Sequence, residues 1–335
     1  MAVVAARTEG KRRSSSAYCL ELGILNNMPD AALERTEQQF FALLAAAAPD
    51  LLVRVHFFSL AGIQRDPPGC AHLARHAYLA AGDIADSNLD ALIVTGTEPR
   101  APDLRLEPFW SELAEVFDWV AEEGPSTVFS CLAAHAAVLH YDGVARKRLA
   151  QKRLGVFDHL VTQSDSLTKD LPASFRIAHS RWNELAETDL ARCGYRTLTW
   201  SAEAGVDLFV KRGRNDLLFC QGHPEYDSAT LAREYRRDVK RWLTGESDAY
   251  PLLPKHYFSP ADLLALEQFR ARAAFGRSEA LMADFPALER KDDAHWNAPG
   301  AAVFSAWLRA IVEKKCTERP LRPASAAPRL ATEAA

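Results

Sequence analysis

Apolar and polar positions follow two different periods along this chain, and the changes of period mark the order of its elements. Apolar, β-branched and aromatic residues at 17–25 and 51–60 predict strands, and the nearly continuous apolar run at 89–95 is typical of a strand buried on both faces. The stretches 31–47 and 108–121 have a helical period. Alternating strands and helices predict an α/β fold with a mostly parallel sheet and helices on both faces.

The second half of the core continues this alternation around two polar motifs. Residues 127–130 predict a short strand that ends at Cys131, and residues 206–211 and 217–221 predict a hairpin that leads to His223. A helix is predicted at 228–243. Functional sites of such folds lie at the carboxyl ends of the strands, so we expect Cys131 and His223 to meet in space.

Shifts in composition divide the chain into five segments. We predict a disordered tail at 1–16, an α/β core at 17–250, a partly helical insertion at 251–292, a C-terminal helix packing on the core at 293–315, and a second disordered tail at 316–335. Within the insertion, Ser259 followed by Pro260 is a favourable start for a helix.

Composition and charge narrow the class of protein. The 335 residues are 48% hydrophobic and 25% charged, as in a soluble globular protein, and a net charge of −4 gives no general attraction to nucleic acid. Apolar runs stay below the roughly 18 residues that a membrane span needs, and the basic N-terminus lacks the apolar region of a secretory signal. We therefore expect a cytoplasmic protein with neither nucleic acid nor membrane as a partner.

The six cysteines are irregularly spaced and form no CxxC pair, so neither a disulfide framework nor a metal site is expected. Cys131 differs from the others because it stands where a predicted strand turns into a helix. The positive end of that helix favours a thiolate. Because His223 and Glu225 supply a base and a group to orient it, these three residues predict a Cys-His-Glu nucleophilic site.

Around this site the chain resembles the homoserine O-acyltransferases of the MetA type. The resemblance covers residues 18–243 and resumes at Trp296 and Phe304. It rests on ordered motifs, which include Asn-Met-Pro at 27–29, Thr-Glu-Gln-Gln-Phe at 36–40, Gly-Val-Phe-Asp-His at 155–159, His-Ser-Arg at 179–181 and Gly-His-Pro-Glu-Tyr-Asp at 222–227. It implies a flavodoxin-like fold related to class I glutamine amidotransferases, a homodimer, and transfer of a succinyl or acetyl group from coenzyme A to homoserine in methionine biosynthesis.

The resemblance also implies a role for each matching position. Cys131 corresponds to the acyl-thioester nucleophile, His223 to the general base and Glu225 to its partner. Substrate-binding positions correspond to Lys152, Ser180 and Arg237. No cofactor is expected to be permanently bound, and acyl-CoA enters as a co-substrate.

Elementary chemistry agrees with two further assignments. The backbone N–H of Leu132, at the start of the predicted helix, is placed to stabilise the oxyanion of a tetrahedral intermediate. The guanidinium of Arg237 suits the carboxylate of an amino-acid acceptor.

Arg100 occupies the position that the family associates with the choice of acyl donor. Glutamate there accompanies acetyl donors and a small residue accompanies succinyl donors, so arginine follows neither rule. Since an arginine can pair with the free carboxylate of a succinyl group, we predict succinyl-CoA as the donor. Acetyl-CoA as donor and L-serine as acceptor stay open, because one methylene in a pocket is worth only about 1–3 kcal/mol.

Two other classes of function use the same residues. An amidotransferase-like hydrolase would direct the triad at glutamine or a peptide, and a binding or regulatory homologue would not need the thiol. The motifs at 27–29, 155–159 and 179–181 argue against the first, since amidotransferases lack them. The intact set of Cys131, His223 and Glu225 argues against the second.

Overall fold

The structure is a computed structural model that describes residues 3–5, 19–288 and 296–318. The strands in these residues are β1 (Val3–Ala5), β2 (Cys19–Leu25), β3 (Leu52–Ser59), β4 (Leu79–Ala80), β5 (Ala91–Val94), β6 (Ser126–Ser130), β7 (Lys147–Val161), β8 (Ser174–Glu184), β9 (Arg196–Thr197), β10 (Thr199–Ser201), β11 (Gly205–Val206), β12 (Leu208–Lys211) and β13 (Leu217–Cys220). The α-helices are α1 (Leu33–Ala47), α2 (Pro67–Arg75), α3 (Trp110–Glu122), α4 (Leu132–Asp142), α5 (Glu187–Arg192), α6 (Thr230–Leu243), α7 (Pro260–Phe275) and α8 (Asn297–Glu318). Among these helices we find none with the length and apolar character of a membrane span.

A central sheet of nine strands has the order β1-β3-β2-β5-β6-β13-β12-β9, and β4 pairs with β3 at one end. The pairs from β1 to β13 are parallel, whereas β12 runs antiparallel to both β13 and β9. The predicted hairpin and the mostly parallel sheet are therefore confirmed. The register places Phe129 of β6 opposite Phe219 of β13, so that β6 and β13 end side by side.

Helices cover both faces of this sheet, as the sequence predicted. On one face Phe117 of α3 and the alanine-rich α4 pack on Phe129. On the other face Phe40 of α1 and Trp307 of α8 pack on side chains of β2. Because neighbouring side chains of a strand point to opposite faces, the apolar strands supply both cores at once.

A second sheet of four strands, in the order β11-β10-β7-β8, comes mostly from residues for which the sequence pattern gave no prediction. Val206, predicted as the start of the hairpin, belongs to β11 of this sheet, and the hairpin strand begins at Leu208. Its long antiparallel pair β7/β8 changes register between Arg148 and Arg153. The basic, polar first half of β7 has no clear alternation, because this irregularity interrupts the period of two. The buried second half, from Leu154 to Phe157, is the part that packs into the core.

Two predicted segment boundaries differ from the structure. Residues 3–5, inside the predicted disordered tail 1–16, form strand β1, because β-branched Val3 and Val4 extend the sheet along β3. Helix α8 continues to Glu318, beyond the predicted boundary at 315. The rest of both predicted tails lies outside the described residues.

The segment 251–292 contains helix α7. Ser259 caps it as predicted: the backbone N–H of Asp262 donates to the Ser259 hydroxyl at 3.1 Å. The apolar side of α7, with Phe269 at its centre, packs on Tyr235 and Val239 of α6. This segment therefore supports the helix that follows the His223 motif.

Candidate active site

Cys131 occupies the sharp turn between β6 and α4. Its backbone has φ 51° and ψ −110°, a conformation that non-glycine residues rarely adopt. Its N–H donates to the carbonyl oxygen of Cys220 at 2.7 Å, which joins the ends of β6 and β13. The side chain is only partly buried. Such strained positions cluster at active sites, and here the turn presents a thiol at the carboxyl edge of the sheet.

The start of α4 lies against the loop that follows β5. Leu132 is the first helical residue, so its N–H has no partner within the helix. Gly96 approaches it so closely that a Cβ at position 96 would lie 3.1 Å from the Leu132 nitrogen. A glycine here leaves room beside this N–H, as an oxyanion site next to Cys131 requires.

His223 and Glu225 follow the end of β13 and are both buried. The backbone N–H of His223 donates to the carbonyl oxygen of Ala178 at 2.8 Å, and the backbone N–H of Gly222 donates to Oδ1 of Asp207 at 2.7 Å. These bonds fix the loop on β8 of the second sheet and on Asp207, which lies between β11 and β12. Nδ1 of His223 lies 2.8 Å from Oε1 of Glu225, so Nε2 is the ring nitrogen left for chemistry.

The charges around His223 favour its protonated form. Burial lowers the pKa of His223, but the negative charges of Glu225 and Cys131 raise it, and the result is a pKa well above the ordinary value. Nε2 is buried and has no hydrogen bond of ordinary geometry to the described residues. Cys131 is nevertheless close enough for its negative charge to raise the pKa of His223. Cys131, His223 and Glu225, the three residues of the predicted triad, are thus brought together.

The three predicted substrate-binding residues are joined by two carboxylates of α6. Nζ of Lys152 lies 3.0 Å from Oδ2 of Asp238 and 3.6 Å from Oε2 of Glu234. The hydroxyl of Ser180 donates to Glu234, and Nη2 of Arg237 lies 2.8 Å from Oδ1 of Asp238. Lys152, Ser180 and Arg237 therefore belong to one polar cluster, although they come from three different elements.

Arg100 lies in the loop after β5, with an exposed side chain. Its Nη1 donates to Oε1 of Gln64 at 3.3 Å, while its backbone N–H donates to Oε1 of Glu107 at 2.6 Å. The same loop is tied to α6 by an ion pair between Glu98 and Arg241 at 3.0 Å. The loop thus contacts the start of α4 through Gly96 and α6 through Glu98.

His135, one turn along α4 from Cys131, is fully enclosed. Its Nε2 lies 3.0 Å from Oε1 of Gln221. Burial, followed by the charge of Arg181, lowers the pKa of His135 to about 3, so it is neutral at physiological pH. It connects α4 to the end of β13 as a hydrogen-bonded core residue.

Two groups of described residues have ligand atoms within 4.8 Å of one another, as a metal site requires: Glu37, His72 and His76, and His159, His179 and Asp207. In the first group Nε2 of His72 lies 2.6 Å from Oε1 of Glu37. In the second group the Nε2 atoms of His159 and His179 lie 3.1 Å apart. These are hydrogen-bonding distances, so each pair can share a proton.

The family model described as homoserine O-succinyltransferase matches residues 2–317 of the chain. The chain belongs to the homoserine O-succinyltransferase family. A homoserine O-succinyltransferase from Rhodopseudomonas palustris is 45% identical over 304 residues, which are 90% of this chain and 91% of the relative. One from Methylorubrum extorquens is 46% identical over 297 residues, 88% of each chain.

Solved structures that align with this one include two glutamine amidotransferases. One from Methylobacillus flagellatus has a TM-score of 0.48 at 13% identity and covers 88% of this chain and 95% of its own. One from Thermotoga maritima has a TM-score of 0.46 at 10% identity and covers 88% of this chain and 98% of its own.

Membership of the homoserine O-succinyltransferase family confirms the predicted family and enzyme class. The protein is an acyltransferase, and succinyl transfer to homoserine in methionine biosynthesis is the activity that the family supports. An acyl-CoA co-substrate follows from that class. The alternatives of an amidotransferase-like hydrolase and of a non-catalytic binding protein lose their support.

For several residues of this site, the sequence predicted no role. Tyr226 stacks on His223, and Glu234 accepts hydrogen bonds from both Tyr226 and Ser180. The buried Arg181 lies close enough to Cys131 for the thiolate to act on its pKa, which burial lowers to about 10. Glu234 stands one turn before Asp238 on α6, and that spacing was the available signal.

Proposed function

We propose that this enzyme transfers a succinyl group from succinyl-CoA to the hydroxyl of L-homoserine in two half-reactions through a thioester on Cys131. The observation that carries the proposal is the thiol at a positive-φ turn beside a buried imidazole that a carboxylate orients. A thiol is a suitable nucleophile because exchange of one thioester for another is nearly balanced in free energy.

In the first half-reaction Cys131 gives its proton to Nε2 of His223, and the thiolate attacks the thioester carbonyl carbon. A new carbon–sulfur bond forms, and the carbonyl oxygen becomes an oxyanion next to the N–H of Leu132. When the intermediate collapses, the bond to the coenzyme A sulfur breaks. His223 returns its proton to the departing thiolate, which leaves as free coenzyme A.

In the second half-reaction the acceptor hydroxyl gives its proton to His223 and attacks the acyl-enzyme. The oxygen–carbon bond of the ester forms, the bond to Cys131 breaks, and the sulfur takes the proton back. Glu225 stabilises the imidazolium that exists in both steps. Acylation of Cys131 removes the negative charge beside His223, so the pKa of His223 falls and a larger fraction of the imidazole is neutral and able to accept the proton of the alcohol.

The acceptor is an amino acid, so its binding requires both signs of charge. We assign the polar cluster on α6 to it: Lys152, Ser180 and Arg237 contact its carboxylate and hydroxyl region, and Glu234 and Asp238 hold these side chains in place. The loop that carries Arg100 is assigned to donor choice, with succinyl-CoA preferred over acetyl-CoA. Homodimer formation and a cytoplasmic location stay predictions.

Intact-protein mass spectrometry after mixing with each acyl-CoA tests the proposal. We expect wild type to gain one succinyl group from succinyl-CoA and to lose it when homoserine is added. Cys131→Ala should gain nothing, whereas Cys70→Ala, which removes an exposed thiol, should behave as wild type. A wild type that acylates only with acetyl-CoA would overturn the donor, and one that acylates with neither would overturn the mechanism.

A further inference from the structure

Arg146 lies just before β7 and reaches the loop assigned to donor choice. Its Nη2 donates to the carbonyl oxygens of Ala101 and Pro102, each at 3.3 Å. These two residues directly follow Arg100 in the chain. The guanidinium of Arg146 is therefore held against a loop whose own arginine side chain is exposed and bonded to Gln64.

The remaining donors of Arg146 lack partners. Nε and Nη1 are buried and have no hydrogen-bond acceptor among the described residues. Buried donors on a cation are costly unless something pairs with them. Two other arginines have a buried, unpaired Nε, but Arg65 forms an ion pair with Asp30 and Arg153 lies 3.6 Å from Glu184. Within the described residues, no carboxylate forms an ion pair with Arg146.

Glu107, the acid with the largest electrostatic effect on Arg146, is already occupied. Oε1 of Glu107 accepts the backbone N–H groups of Arg100 and Ala101, each at 2.6 Å. Burial lowers the pKa of Arg146, and the negative charges of Glu107 and Cys131 act against that effect. The guanidinium therefore lies within electrostatic reach of the Cys131 sulfur and still has donors to offer.

The charge of Cys131 also acts on Arg181, but the donors of Arg181 are committed. Its Nη1 donates to the carbonyl oxygen of Asn183 at 2.7 Å, and its Nη2 donates to that of Ala204. Of these two cations near the nucleophile, Arg146 is the one with free hydrogen-bonding capacity.

We propose that Arg146 binds the free carboxylate of the succinyl group, both in succinyl-CoA and in the Cys131 thioester, and so selects a dicarboxylic acyl donor. This inference rests on the proposed function and assigns the recognition to Arg146 in place of Arg100. Nε and Nη1 lie on different edges of the guanidinium, so the carboxylate accepts a charge-assisted hydrogen bond from one of them, and the positive charge adds to the attraction. An acetyl group has no carboxylate and leaves these donors unpaired, which is how a polar site rejects an analogue that lacks the polar group.

The test compares acylation rates with succinyl-CoA and acetyl-CoA in wild type, Arg146→Ala, Arg146→Lys, Arg100→Ala and Arg148→Ala. Arg148 is the matched control, because it is exposed on β7 with its guanidinium 4.4 Å from the ring centre of Trp182. We expect Arg146→Ala to lower kcat/KM for succinyl-CoA by roughly 10- to 150-fold, the range for a hydrogen bond to a charged group, and to leave the acetyl-CoA rate unchanged. Arg146→Lys keeps the positive charge but places its donors differently, so it should lose less. Arg100→Ala and Arg148→Ala should keep the wild-type ratio of the two donors.

The outcomes separate the inference from the function beneath it. An equal loss with both donors in Arg146→Ala would mean a contact with coenzyme A or a structural role, and a change of donor ratio in Arg100→Ala alone would return recognition to Arg100. Either result would overturn the inference while wild-type acylation by succinyl-CoA leaves the proposed function standing. A wild type that forms no succinyl thioester would overturn both. If Arg146→Ala does not fold, the donor ratio of Arg146→Lys decides, since an unchanged ratio overturns the inference.

Discussion

The ring of Tyr226 stacks on the imidazole of His223, with centroids 4.1 Å apart and planes inclined by 20°. Its hydroxyl donates to Oε1 of Glu234 at 2.6 Å, and the other oxygen of Glu234 accepts from Ser180. Burial and the charge of Glu234 raise the pKa of Tyr226 well above its usual value, so the phenol stays a donor. One side chain thus links the general base to the cluster assigned to the acceptor.

This link predicts a selective defect in Tyr226→Phe. The ring and its stacking on His223 remain, but Glu234 loses a hydrogen bond and no longer holds Ser180 and Lys152 in the same place. We expect kcat/KM for homoserine to fall roughly 10-fold, in line with a lost hydrogen bond to a charged group, while acylation of the enzyme keeps its rate. Rapid-quench measurement of each half-reaction checks this. Equal loss in both half-reactions would contradict the link.

The sequence was sufficient for the six inner strands of the central sheet, and for naming the three residues of the candidate triad, because these depend on local signals. The strand before Cys131 and the hairpin before His223 are short apolar runs, and parallel pairing brings their carboxyl ends together. Tyr226, Glu234 and Arg146 were not predictable in the same way. Their roles depend on contacts with the second sheet and with the loop at 97–102, and the irregular β7/β8 pair that positions them has no periodic pattern in the sequence.

Glu225 should set the pH dependence of the second half-reaction. His223 must be neutral to accept the hydroxyl proton, and the negative charge of Glu225 raises the pKa of His223. In Glu225→Gln that charge is gone, so the pKa of His223 falls and the acid limb of the pH–rate profile moves to lower pH. The plateau rate should also fall, because the imidazolium loses its stabilising partner. A profile of deacylation by homoserine from pH 5 to 9 checks both effects, and an acid limb that moves to higher pH would exclude this role of Glu225.

Gly96 should be required for the first half-reaction. A Cβ at this position would lie 3.1 Å from the Leu132 nitrogen and 3.2 Å from the Leu132 Cβ, so Gly96→Ala displaces the N–H proposed to bind the oxyanion. Loss of one such donor costs about 100- to 1000-fold in rate, and partial displacement should cost at least about 10-fold. Gly82→Ala is the matched control, because its Cβ would meet nothing within 4 Å. Similar acylation rates in the two variants would show that the space beside Leu132 is not needed.

His135 should make the fold sensitive to acid. Burial lowers the pKa of His135 to about 3, whereas in the unfolded chain it has the ordinary value of about 6.5. Between these two pKa values only the unfolded chain binds the proton. The free energy of unfolding is therefore at its full value above about pH 6.5 and decreases as the pH falls below it. In His135→Gln the hydrogen bond to Gln221 can be kept and the titration is removed. From pH 7 to pH 5 the free energy of unfolding of wild type should therefore fall by about 2 kcal/mol more than that of His135→Gln. Urea unfolding of both proteins at the two pH values checks this, and parallel changes would mean that His135 takes up a proton in the folded state.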